Sequence, residues 1–473
     1  MVYLFILLYA YFVSFLDKPE KTAPQLSPRA VEQRARWNIP TDGMDYPVSP
    51  MYMDSLRRMG VRIYHKSRWF NGVTCEMTER QAQKVAALQF VRNVEMTRDD
   101  SDPIYGSPQR RSKWAAGQVT TDTLFHYTDE QLATYNLHPL HEAGFEGQGI
   151  LMAVCDGGFQ RANVLSCFRQ EQELGHFDFT DDTDNFYGPT GMHGTMCLSA
   201  ITGIADEFYG AATQAEYYLM RSEEAENSRE SPKEMDNLVA ALEKADSLGV
   251  NVFSVSLGYA LFDNDAWTLD KYTELDGRST RASIAATIAA RKGMLVCVAA
   301  GNEGNSSWRT LGAPADADSI LTVGAVSTDS LIGDFSSYGP SSDGRVKPEV
   351  CAVGVQTTLI NPWGTIVTSH GTSFATPLMA GLAASLWSAL PDENAMQIRE
   401  RIIRSAHMYS TPDPAHQMGY GIPDAWQAYT MPLPADIPSV QPEAEQPRKI
   451  IRGGQVLIIR HGHIYNLAGQ RIN

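Results

Sequence analysis

The sequence predicts an α/β fold: a mostly parallel sheet covered by helices on both faces, with a small α+β unit before it and a short β tail after it. Three observations carry this. Wholly apolar runs of strand length recur at Ile150–Cys155 and Met294–Ala299, as strands buried on both faces require, and Val250–Leu257 reads as a further strand between them. An amphipathic helical stretch at Leu238–Leu248 leads into the strand Val250–Leu257 and a further helix at Ala282–Arg291 into Met294–Ala299, giving the helix–strand alternation of a parallel sheet. Finally, Phe374–Leu390 is apolar or small almost throughout, so the helix it predicts leaves no face for water and lies inside the domain. That helix is too short and too Pro-marked to span a membrane. Pro377 is expected in its first turn, where a missing N–H costs nothing.

Composition sets outer bounds. A chain of 473 residues exceeds one ordinary domain, and 43% apolar residues suffice for a real core. The net charge of −16 argues against nucleic acid as a partner. Cys75, Cys155, Cys167, Cys197, Cys297 and Cys351 are scattered, without CxxC or metal-ligand spacing, and imply no disulfide.

Met1–Leu16 is apolar but lacks a basic n-region and a small-residue cleavage site, so 1–10 is expected to be an export signal, truncated or with a misassigned start. Tyr11–Leu16 also reads as a strand opening the next unit. That unit, 11–97, alternates strand and helix: helices at Pro28–Trp37, Pro50–Met59 and Glu79–Leu88, strands within Val61–Thr78 and at Phe90–Met96. A charged stretch with Pro103, Gly106 and Pro108 makes 98–126 a linker. The main domain covers 127–431, a Pro-rich acidic linker 432–448, and 449–473 reads as short strands around a Gly453-Gly454 turn.

Four candidate residues stand in motifs within the main domain. Asp156 ends the strand of GILMAVCDGGF, where a carboxylate is held dry and aimed. His193 stands between Gly191 and Gly194 before a small-residue helix. Asn302 follows the strand of MLVCVAAGN, with an amide able to donate to an oxyanion. Ser373, in HGTSFATPLMAG, opens the apolar helix, whose first N–H groups are free for a developing anion. Taken singly, each motif is equally a turn, a cap or a structural histidine.

Together, in the order Asp, His, Asn, Ser, and with SVSLG at Ser254–Gly258 and FSSYGP at Phe335–Pro340, they resemble the subtilisin-like serine proteases. The resemblance spans Leu137–Tyr429. It implies an Asp156/His193/Ser373 triad, an oxyanion site at Asn302, and cleavage of peptide bonds through an acyl-enzyme. It implies that Ser256, Leu257 and Gly258 pair with substrate backbone, with Ala299, Ala300 and Gly301 forming the opposite wall. The substrates implied are proteins or peptides. The N-terminal unit resembles a subtilase propeptide, hence an intramolecular inhibitor cut from the chain in the linker. The chemistry implied uses no cofactor or metal; structural calcium occurs in many subtilases, but no loop here identifies its ligands. Asp156 is followed by Gly-Gly where many relatives have Thr-Gly or Ser-Gly, which keeps the turn and removes one side-chain bond. The tail resembles terminal β motifs of secreted Bacteroidetes-type proteins, implying a sorting or anchoring role or, equally, a strand that docks back onto the protease; the location expected is secreted, periplasmic or cell-surface. The alternative classes are a catalytically silent subtilase-fold binding module and a serine esterase, the latter without its G-x-S-x-G elbow.

Overall fold

The computed structural model describes residues 8–20, 22–99, 128–180, 186–189, 191–224, 230–413, 415, 417–434, 448–452, 455–460, 463–466 and 471–472. Nearly all of the linker expected over 98–126 and most of the one over 432–448 lie outside them, as do residues 1–7 of the apolar N-terminal stretch.

The N-terminal unit runs β1 (Tyr9–Phe15), α1 (Pro28–Arg36), α2 (Pro50–Arg58), β2 (Arg62–Ser67), β3 (Gly72–Met77), α3 (Glu79–Ala86) and β4 (Val91–Arg98). Its helices start where the sequence marks them. Ser27, Ser49 and Thr78 are N-caps, Pro28 and Pro50 follow two of these, and Thr78 with Gln81 closes a capping box. The antiparallel sheet has the order β2-β3-β1-β4, so the apolar β1 is an inner strand. Val13, Phe15, Leu56, Val73, Cys75 and Val85 form the core beneath it.

The main domain continues with α4 (Asp129–Ala133), α5 (His138–Glu142), β5 (Leu151–Asp156), β6 (Glu173–Asp178), α6 (Met192–Thr202), β7 (Ile204–Ala205), β8 (Phe208–Tyr209) and β9 (Glu216–Arg221). Then follow α7 (Pro232–Leu248), β10 (Val252–Val255), α8 (Arg281–Arg291), β11 (Leu295–Ala299), β12 (Leu321–Val326) and β13 (Val350–Val353). The hairpin β14 (Thr357–Ile360) and β15 (Ile366–Ser369) leads into α9 (Thr372–Ala389), α10 (Ala395–Ser405) and α11 (Ala425–Thr430). In the tail, β16 (Arg448–Arg452), β17 (Gln455–Arg460), β18 (His463–Asn466) and β19 (Arg471–Ile472) pair as an antiparallel meander.

Seven strands form one sheet in the order β13-β12-β11-β10-β5-β9-β6, every pairing parallel. Alternate residues of the inner strands β5, β10 and β11 serve opposite cores. Met152, Val154, Val252, Leu295 and Cys297 face the α6/α9 side, while Leu151, Ala153, Phe253, Val296 and Val298 face α7 and α8. This is the two-sided burial that the unbroken apolar runs predict. Strand order reverses at β5, so its carboxyl end and that of β10 border the crevice where ligands of such sheets sit. The apolar α9 packs against β10, β11, β12 and β13 and against α6, α10 and α11. Among the described residues no helix is long and apolar enough to cross a membrane. One local expectation fails: α9 begins at Thr372, so Pro377 lies in its second turn rather than its first.

The N-terminal unit docks on α7, which packs against α1, β1, β2 and β4. The join is made by buried charge and by Trp69, which enters the α7/α8-side core. Glu243 of α7 accepts from the Ser67 hydroxyl (2.6 Å) and the Arg68 and Trp69 amides (2.9 and 3.1 Å). Arg34 reaches both oxygens of Asp246 at 2.8 Å and Asp45 at 2.7 Å, and Arg68 shares Asp246. Arg281 of α8 bridges Asp236 (2.6 Å) and Glu95 of β4 (2.8 Å). Removing one member of such a set leaves the others buried and uncompensated. Asp246→Ala, made on a Ser373→Ala background, is expected to lower the stability of the docked unit by about 3–5 kcal/mol in urea unfolding of the full chain. A loss under about 1 kcal/mol, the range of exposed pairs, would contradict this reading.

Candidate active site

Asp156 is the last residue of β5, and its carboxylate is buried. Both its oxygens lie 2.9 Å from His193 Nδ1, and Oδ1 also accepts the Gly157 amide at 2.8 Å. A backbone donor thus serves the carboxylate at the Gly157-Gly158 turn. His193 is the second residue of α6, which starts between Gly191 and Gly194. A Cβ at Gly191 would stand 2.4 Å from the Gly158 carbonyl carbon, and one at Gly194 2.2 Å from the Gly158 oxygen. Only glycine lets α6 lie this close to the backbone after β5, and that approach brings the imidazole onto the carboxylate.

Burial by itself pushes the His193 pKa down, but the Asp156 charge and hydrogen bond outweigh it and hold the value well above 6.5. One turn along α6, Cys197 puts its Sγ 3.8 Å from His193 Nδ1 and 3.3 Å from the Ser373 carbonyl oxygen. Burial pushes this thiol up, so it is a neutral donor. Phe374 sets its ring 5.3 Å from the imidazole centroid. Ser373, second residue of α9, is nearly buried, and its hydroxyl donates to the Ser256 carbonyl at 3.4 Å. Asp156, His193 and the start of α9 therefore form one cluster around Cys197.

Asn302 joins from the loop after β11. Its Oδ1 accepts from the Thr372 amide (2.9 Å) and the Thr372 hydroxyl (3.0 Å). With the oxygen so engaged, the amide NH2 is the end left to donate at the mouth of α9. Thr372 is thus an orienting residue that sequence reasoning missed; its only local signal was its place beside Ser373.

The six residues expected to bind substrate divide. Gly258 is exposed, and a Cβ there would meet only the Ala313 oxygen at 3.9 Å. Leu257 and Ala300 bury their side chains in the α7/α8-side core, and Ala299 is buried as well, so these three can offer only backbone to a ligand. Gly301, half-buried with φ +110°, donates its N–H to the Thr372 hydroxyl at 3.2 Å. The Ser256 hydroxyl is turned inward, donating to the Ser373 carbonyl at 2.7 Å.

Against known proteins, the model of the "Subtilase family" matches residues 147–421, more than half of the chain. The chain belongs to the subtilase family. The model described as "Peptidase S8 propeptide domain, Bacteroidota" matches residues 10–114, over the N-terminal unit. Subtilisin NAT of Bacillus subtilis subsp. natto is 29% identical over 270 residues, covering 56% of this chain and 63% of that one. Subtilisin of Bacillus pumilus is also 29% identical over 270 residues, covering 56% and 87%. The match thus spans 63% of the length of the first such subtilisins. Among solved structures, MycP1 from Mycobacterium smegmatis superposes with a TM-score of 0.55 at 23% identity, covering 72% of this chain and 93% of that one, a likeness of fold.

The position of Cys197 makes the cluster a target for a soft metal ion. Mercury bound to Sγ would press on His193 Nδ1 and on the Ser373 carbonyl together, and a shift near 1 Å in such a site costs about 10² in rate. Stoichiometric mercuric chloride is expected to abolish fluorophosphonate labelling of Ser373 in the natural sequence. Cys197→Ala should label within a few-fold of the natural sequence and resist mercury. Equal inhibition of both would place the sensitive thiol elsewhere, with Cys155 the next to test.

Proposed function

We propose that the chain is a serine endopeptidase. The observation that carries this reading is the Asp156 carboxylate on His193 Nδ1 at 2.9 Å, with Cys197 linking that imidazole to the backbone of Ser373. Ser373 Oγ attacks a peptide carbonyl while His193 Nε2 takes its proton. Asp156 fixes the tautomer with Nδ1 protonated and stabilises the imidazolium. The new C–O bond turns the carbonyl oxygen into an oxyanion, held by Asn302 Nδ2–H and the Ser373 backbone N–H at the start of α9. His193 returns the proton to the amine as the C–N bond breaks. A water, deprotonated by the same imidazole, then releases the acyl group. The cycle as written needs no cofactor or metal.

The substrate is an extended segment of protein pairing with backbone at Ser256–Gly258, Gly258 leaving space beside it. The N-terminal unit is the propeptide and acts as an intramolecular inhibitor until the chain is cut between Arg98 and Gln118. The enzyme works outside the cytoplasm, secreted or at the cell surface. Membership of the subtilase family and likeness to named subtilisins support the reaction class; the propeptide match supports the inhibitor.

Because Ser373 and His193 act as a unit, either alanine variant should lower turnover by about 10⁶, the scale known for subtilisin, and the double variant little further. Asn302→Ala should cost roughly 10²–10³ with little change in KM. Ser373→Ala should also stay full length where the natural sequence is processed. Losses that add between Ser373 and His193 would contradict the triad.

The acid limb of the pH profile gives a second test. His193 must be neutral to accept the proton, and its pKa is held above 6.5, so kcat/KM should rise with pH through a midpoint above that value. Asp156→Asn removes the charge that raises the pKa and leaves the burial that lowers it. Its residual activity should therefore show the limb moved to lower pH. An unmoved limb would contradict the role given to Asp156.

A further inference from the structure

Pro377 stands four residues after Ser373 inside α9, so the N–H that would close the helix on the Ser373 carbonyl does not exist. A buried acceptor left without a donor is costly. Here two side chains from other elements take it. The Ser256 hydroxyl donates at 2.7 Å and the Cys197 thiol at 3.3 Å. The thiol and that hydroxyl are themselves 3.6 Å apart, and both residues are buried. The exchange is reciprocal, because the Ser373 hydroxyl donates back to the Ser256 carbonyl. Ser256 directly follows β10 and opens the segment assigned to substrate backbone, while Cys197 lies one turn from His193.

We propose that Ser256 and Cys197 are positioning residues for Ser373. They replace the helix hydrogen bond that Pro377 deletes, and they tie the nucleophile's backbone to the peptide-pairing segment on one side and to the imidazole's helix on the other. The inference rests on the endopeptidase reading above and extends it. An ordinary helix would hold the Ser373 carbonyl by its own ladder and leave the first turn of α9 free to slide relative to β10 and α6. Here the proline hands that carbonyl to those two elements. The depth at which Oγ stands beneath a bound peptide is then set by Ser256. Losing its hydroxyl should act on the chemical step, since the backbone groups of Ser256–Gly258 that pair with substrate are unchanged.

The test is a two-residue cycle in the self-processed protein, with kcat, KM and Tm measured on one peptide substrate. Ser256→Ala should lower kcat about 10- to 100-fold, as a displacement near 1 Å would, with KM within twofold. Ser256→Cys, keeping a weak donor, should fall between. Pro377→Ala restores an N–H at the fourth residue beyond Ser373. In the Ser256→Ala background it should raise Tm and recover at least threefold in kcat; in the natural background it should gain nothing. If Ser256→Ala fails to fold, Cys197→Ala with and without Pro377→Ala poses the same question at a few-fold scale. A rise in KM at constant kcat, or equal effects of Pro377→Ala in both backgrounds, would overturn the proposal and leave Ser256 as a substrate contact alone. A natural sequence that neither cleaves peptides nor labels at Ser373 would overturn the endopeptidase reading itself, and this inference with it.

Discussion

Asp156 and His193 meet because α6 lies directly against the backbone that follows β5, and that approach is open only to glycine at positions 191 and 194. The rest of the site hangs on this contact. A carboxylate buried at the end of an inner strand needs compensation, which the imidazole and the Gly157 amide supply. The imidazole is held in one orientation in return. With α6 fixed, Cys197 arrives within reach of the Ser373 carbonyl, and the start of α9 is held at the same depth. A methyl group at Gly194 would do more than crowd a turn. It would back the helix away from the strand and separate all three parts.

What could be read from the sequence follows from how local each cause is. The inner strands announce themselves because burial on both faces admits no polar alternation, as in Leu151–Cys155 and Leu295–Ala299. The N-terminal helices are legible through their caps, a Ser or Thr with Pro or Gln at fixed offsets. Asp156, His193, Asn302 and Ser373 stand out because each interrupts an apolar or glycine-marked run with a reactive side chain.

The first residue of α9, Thr372, lies just ahead of the apolar run, and what fixes it is not local. Gly371 supplies no side-chain cap; the Thr372 amide is taken by Asn302, which is 70 residues away in the chain. A partner supplied by a loop 70 residues away cannot be seen in the local pattern, so the apolar run alone puts Pro377 a turn too early. The inward turn of the Ser256 hydroxyl and the buried side chains of Leu257 and Ala300 escaped for the same reason. Motifs identify residues that do something. They do not say which atom of the residue does it.

The charged faces of the N-terminal unit make the opposite case. Arg34 stands in a helix whose composition reads as solvated, yet it is buried between Asp45 and Asp246. Glu243 and Asp246 likewise stand on the polar face of the amphipathic α7 and are buried. An interface built from such pairs differs in kind from an apolar one. Each charge must lose its water on docking, and the attraction regained roughly cancels that cost, so the pairs fix orientation sharply while adding little net affinity. Exposed again, Asp236, Glu243 and Asp246 would return to water at no penalty, whereas an apolar face would be left as a liability. Apart from the apolar seat of Trp69, the face of α7 that the N-terminal unit covers is therefore one the main domain can present with or without it, and such a surface suits a unit that is bound at first and later released.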